Sequence, residues 1–110
     1  MTRPAFNTFA RKGFQMTFPN GLTVSVMFGS GNYCEHRFNR DVEPLFGATV
    51  PVWGRHGSED AEVAVIAPDG EFMDGFPHCP DCDHVVGWLT PSEVLEVMQW
   101  AATQPAPVAA

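Results

Sequence analysis

Cys79 and Cys82 lie three apart in the run Phe76-Pro-His-Cys-Pro-Asp-Cys-Asp-His84, with His78 and His84 on either side. Two thiolates in such a Cys-x₂-Cys turn can take two corners of a zinc tetrahedron. The other corners must come from a distance. Cys34 is the only remaining cysteine, so Cys34 with His36, or Cys34 with His84, would complete a structural Cys₃His site made with Cys79 and Cys82. Asp83 stands where glycine often follows the second cysteine of a knuckle. Two other readings stay open. One is a dithiol redox pair, although Val85 to Leu89 reads as strand rather than the helix such a motif opens; the other is two reduced cysteines in a surface turn. An odd number of cysteines, three, argues against a closed disulfide framework.

A second group follows the segment Leu22 to Phe28. Gly29, Ser30, Gly31, Asn32 and Tyr33 form a Gly-rich turn, with Arg37 and Arg40 shortly after it. Backbone N–H groups in such a turn can make an anion-binding nest, and two guanidiniums beside it suit a phosphate or carboxylate. The turn lacks the Gly-Lys-Ser/Thr of a phosphate-binding loop, and its glycines would also serve simply to turn the chain. His36, His56, His78 and His84 form no recognisable nucleophile–base arrangement, so the chain is not expected to be an enzyme. The paired acids Glu59 and Asp60 read as solvated turn residues. Together with Trp53 they form the expected interface with a partner; Trp88 and Trp100 are expected in the core.

These residues must be held by a small frame. Phe14, Met16 and Phe18 alternate with polar residues, as do Leu22, Val24 and Val26, and Asn20-Gly21 lies between the two runs. That pattern predicts a hairpin with a type I′ turn and both apolar sets on one face. From Gly29 to Asp60 no period is visible, though a short strand is possible from Ala48 to Trp53. Glu62 to Ala67 reads as a strand, turning at Pro68-Asp69-Gly70 into Glu71-Phe72-Met73, and His84 to Leu89 reads as a last strand. Thr90-Pro91-Ser92-Glu93 has the form of a capping box with proline at the first helical position. Val94, Leu95, Val97, Met98, Ala101 and Ala102 then recur at helical spacing, predicting a helix from about Pro91 to Thr103 that buries one face. The expected class is α+β, an antiparallel sheet of four to six strands against one C-terminal helix. Residues 1–103 would form the domain and 104–110 a tail.

At 110 residues, with 45% apolar and 17% charged side chains, the chain can fill one core. No apolar run approaches the roughly 20 residues that span a bilayer, and the N-terminus lacks the apolar stretch of a signal peptide, so a cytoplasmic location and no membrane partner are expected. Charge is unevenly spread. Residues 1–40 carry five basic side chains against Glu35, whereas residues 41–110 carry twelve acids against Arg55. The acidic part is unsuited to tracking a nucleic-acid backbone and points instead to a basic protein surface, or to a small ligand held by the few arginines.

The run Phe18-Pro-Asn-Gly-Leu-Thr-Val-Ser-Val-Met-Phe-Gly-Ser-Gly-Asn-Tyr-Cys34, the strand Glu62 to Ala67, and Val86-Gly-Trp-Leu-Thr-Pro-Ser-Glu-Val-Leu95 resemble a family of short proteins encoded by bacteriophages and prophages. The resemblance covers about half the chain and carries over no residue role. It implies an accessory factor that binds and disables a host defence system in the bacterial cell, in the manner of an anti-CRISPR protein. Two alternatives accompany that expectation: a protein that sequesters a nucleotide, across a homo-oligomer interface, and a zinc-stabilised structural or virion-associated module.

Overall fold

The computed structural model of the chain describes residues 3–9, 13–28, 58–79 and 84–106. Five strands, β1 (Phe6–Phe9), β2 (Gly13–Thr17), β3 (Thr23–Met27), β4 (Ala61–Ile66) and β5 (Val86–Leu89), lie in chain order across one antiparallel sheet. One helix, α1 (Pro91–Thr103), follows and packs on β3, β4 and β5. The α+β class expected from the sequence is the class observed. The strand considered for Ala48 to Trp53 lies outside the described residues.

Register explains the core. Phe14 pairs with Val26 and Met16 with Val24, so the two apolar sets share a face as their alternation predicts. Val26 and Val24 pair in turn with Val63 and Val65, and α1 lays Val97 and Ala101 on this surface, with Leu22, Ala61, Phe76, Cys79 and Leu89 completing the buried cluster. Each such aliphatic side chain removed from water contributes about 1.5–3 kcal/mol. The other face of β3 and β4 is buried as well, through Thr23, Ser25, Ala64 and Ile66. Thr23 is tolerated there because its hydroxyl lies 2.9 Å from that of Thr17, directly across the β2–β3 ladder.

The two hairpin loops share one construction. Phe18 N–H donates to Leu22 O, Gly21 N–H to Phe18 O, and Leu22 N–H to Asn20 Oδ1. In the second loop Ala67, Gly70 and Glu71 N–H make the equivalent bonds to Glu71 O, Ala67 O and Asp69 Oδ1. This corrects the expected type I′ turn. Only Gly21 (φ 89°) has positive φ, whereas that turn would need it at Asn20 too. Pro19 presets the first corner, so the loop is a type I turn over Pro19-Asn20 followed by a left-handed glycine. The loop also closes the helix: Asn20 Nδ2 donates to Ala101 O at 2.7 Å and to Gln104 O at 2.8 Å. Carbonyls orphaned at the helix C-terminus are thereby satisfied.

Two stretches depart from expectation. β1 is not announced by any sequence pattern; it is a four-residue strand, paired among the described strands to β2, whose Phe6 is 72% exposed. At the other side of the sheet, Ala61 pairs with Leu89 and Val63 with Val86, which leaves Gly87 and Trp88 opposite Glu62 alone. This bulge throws Trp88 to φ 56° and leaves it 50% exposed rather than in the core. A bulky residue there costs on the order of 1–3 kcal/mol. Trp100, by contrast, packs partly buried against Phe76, ring centroids 6.4 Å apart.

Candidate functional site

The start of α1 sets the geometry of an apolar cleft bordered by core and acidic residues. Thr90 is the N-cap: Glu93 N–H donates to Thr90 Oγ1 at 3.4 Å and Thr90 N–H donates to Glu93 Oε1 at 2.9 Å, the predicted capping box. With its start fixed, α1 presents two neighbouring stripes. Val97 and Ala101 go into the core, while Pro91, Val94, Leu95 and Met98, at i, i+3, i+4 and i+7, form the wall of the cleft. Two cross-strand pairs make the floor: Phe14 with Val26, and Ala61 with Leu89. Phe28, leaving β3, and Ser58, Glu59 and Asp60, leading into β4, form the lip. The cavity measures about 270 Å³.

Leu95 lies on the helix but not in the core, contrary to the expected single buried face; it is 54% exposed at the cleft rim. Ala102 is likewise exposed. The lip is locally ordered: Ser58 Oγ donates to Asp60 O at 2.6 Å. Glu59 and Asp60 both take part in contacts of their own. No basic side chain is among the described residues lining this cleft. A surface of this kind suits an apolar group, and none of its described lining residues offers a guanidinium or ammonium to a phosphate.

On the opposite flank of α1 lies the turn Phe76–Cys79. Pro77 and His78 (φ 70°) are its two corners, and Cys79 N–H donates to Phe76 O at 2.9 Å. This is the type II arrangement, with histidine where glycine is usual. Its imidazole Nε2 lies 3.1 Å from Glu96 Oε2 and its Nδ1 3.6 Å from Glu93 Oε2. Bonding to Thr90 first, and the nearby histidine last, hold the Glu93 carboxyl below its ordinary pKa against a small opposing effect of desolvation. His84, also left-handed, pairs with Asp74, Nδ1 to Oδ1 at 3.0 Å. Pairs this exposed contribute little to stability.

The structure therefore brings together only part of what the sequence singled out. Glu59 and Asp60 stand at the cleft mouth. Cys79 is fully buried and disulfide-bonded, with its partner outside the described residues, so its sulfur is not a free thiol in this form. The remaining expected zinc ligands, Cys34, His36 and Cys82, lie outside the described residues, as do Gly29, Ser30, Gly31, Asn32, Tyr33, Arg37, Arg40 and Trp53. Among the described residues no group of three or more His, Cys, Asp or Glu side chains is arranged to hold a metal ion, and no helix is long and apolar enough to cross a membrane. Sequence reasoning did not find the cleft itself. Its residues come from four separated stretches of chain, and the only local signal was the 91/94/95/98 stripe, which alone cannot be told from a core face.

Comparison of the chain with protein-family models, curated proteins and solved structures gives no match.

Proposed function

We propose that the chain is a non-catalytic binding protein of a phage or mobile element that disables a bacterial defence complex by covering a basic, nucleic-acid-binding surface of one of its proteins in the cytoplasm. The observation that supports this reading is the apolar cleft with Glu59 and Asp60 at its mouth. Among the described residues the cleft combines an apolar anchor pocket with two acids at its mouth and no nucleophile–base pair. The net charge of −7 adds long-range attraction to a basic partner, raising association rates at low salt. The resemblance to phage proteins supports the reading, since occluding a host nuclease or nucleic-acid sensor would be useful in that setting.

The test is functional. Cells carrying one active defence system at a time are challenged with a phage that the system restricts, with and without the chain expressed. Restored plating of several orders of magnitude with one system, reproduced as inhibition by purified chain, is the expected result. Unchanged restriction across every defence system of the native host removes the proposal.

A further inference from the structure

We propose that Asn20-Gly21 is a site of spontaneous deamidation that the fold holds shut, and that conversion of Asn20 to aspartate cuts the tie between the β2–β3 loop and the end of α1. The proposal is independent of the binding role above. Asn20 is the only asparagine in the chain followed by glycine. Lacking a Cβ, glycine leaves its own nitrogen unhindered for attack on the preceding side chain. In that reaction the Gly21 nitrogen gives up its proton, bonds to Asn20 Cγ and expels the side-chain amide as ammonia, closing a five-membered succinimide. Water then adds to one of the two imide carbonyls and opens the ring to aspartate or isoaspartate.

Hydrogen bonds on every reacting atom stand against that attack. Gly21 N–H, the nucleophile, donates to Phe18 O at 2.8 Å, and Asn20 Oδ1 accepts from Leu22 N–H at 3.0 Å. The leaving group, Nδ2, donates to Ala101 O at 2.7 Å and to Gln104 O at 2.8 Å. The reaction therefore runs through states in which the loop has opened locally. The second hairpin shows which of these bonds needs an amide. Its Pro68-Asp69-Gly70 loop repeats the construction with an aspartate, Asp69 Oδ1 accepting from Glu71 N–H at 2.9 Å and Gly70 N–H donating to Ala67 O at 2.9 Å. A carboxylate serves the loop as well as an amide does. It cannot serve the helix. An ionised carboxylate only accepts, so at position 20 it would face the Ala101 and Gln104 carbonyl oxygens with no proton to offer, at the negative end of the α1 dipole. Deamidation to aspartate keeps the turn and releases the helix, whereas isoaspartate, which routes the main chain through the side-chain carbon, breaks the turn as well.

The full chain, folded in one sample and unfolded in urea in another, is incubated at mildly alkaline pH, and conversion of Asn20 is followed by peptide mapping with mass spectrometry. Conversion should be roughly tenfold or more slower in the folded chain. Equal rates, or no conversion at Asn20 in urea, overturn the proposal. Asp69 is exposed and makes no hydrogen bond to α1 among the described residues, so Asp69→Asn places a second Asn-Gly in a loop of the same construction without the helix carbonyls. In the folded variant that second site should convert several-fold faster than Asn20. Equal rates at the two sites would show that the helix carbonyls hold nothing shut, which also overturns the proposal. Asn20→Asp reproduces the aspartate product. It should lower the melting temperature by about 5 °C or more and speed amide exchange at Ala102, Thr103 and Gln104, while the Phe18 and Gly21 amides stay protected. Wild-type protection of the last turn of α1 in this variant contradicts the release of the helix.

Discussion

Gly21 shows how much can depend on one residue. At φ 89° an added Cβ would be in an unfavourable backbone region and 2.7 Å from Pro68 Cγ, so the two Pro-Asx-Gly loops touch at a point where only glycine fits. Gly21→Ala is expected to cost about 1–3 kcal/mol in chemical denaturation. An unchanged midpoint would mean that the loops are not packed as described. Gly13 is tighter still, since its Cβ would run into the carbonyl oxygen of Val26 on the neighbouring strand. At the same scale, the buried sulfur of Cys79 bears on the zinc-stabilised alternative. As a disulfide it donates no thiolate, so zinc should load only after reduction. Under that alternative, elemental analysis of protein purified under reducing conditions would find one zinc per chain, and a value well below one removes zinc as a cofactor.

The elements divide into those that local chemistry dictates and those that pairing dictates. Helix α1 begins at the proline the capping box predicts, because Thr90, Pro91 and Glu93 are within one turn of each other and need no distant partner. Glu93 ties that start to pH. Its folded pKa is depressed, so its contribution to stability is present above the ordinary glutamate value and is lost as pH falls through the lower, folded value. Glu93→Gln keeps an oxygen to accept from Thr90 N–H but does not titrate. Its melting temperature should fall less steeply than the wild type's between neutral and acid pH, whereas parallel curves would show that the cap does not titrate with folding. The β2–β3 face was legible for the same reason as the helix, being written in the alternation of Phe14, Met16, Val24 and Val26. β1 was not: Phe6-Asn-Thr-Phe9 is too short to show a period. The position of Trp88 was hidden too, because a bulge is a property of how β5 registers against β4 and not of the residues Gly87-Trp88 alone.

For the whole molecule, charge and cleft belong together. Among the described residues Arg3 is the only lysine or arginine, at the far end of the sheet beside Gly70, while acids recur from Glu59 to Glu96. Self-repulsion among them is screened by salt. The melting temperature should therefore rise modestly from 20 to 300 mM sodium chloride, and a fall would indicate that attractive ion pairs outweigh repulsion. The sequence showed this acidic bias and singled out Glu59 and Asp60 from it. It could not show that they stand over an apolar cavity, because Phe14, Val26, Leu89 and Met98 meet only once the sheet and helix have assembled. Anchor and charge are thus contributed by different parts of the chain.

The claim that this cleft is the binding surface is tested most directly by amide chemical-shift mapping of the ¹⁵N-labelled chain on titration with the purified defence protein that it inhibits. Shifts should concentrate at Asp60, Ala61, Leu89, Val94, Leu95 and Met98, and weaken as salt rises. Shifts confined instead to the Phe76–Cys79 turn or to the hairpin loops, with the cleft amides unmoved at saturation, would contradict it.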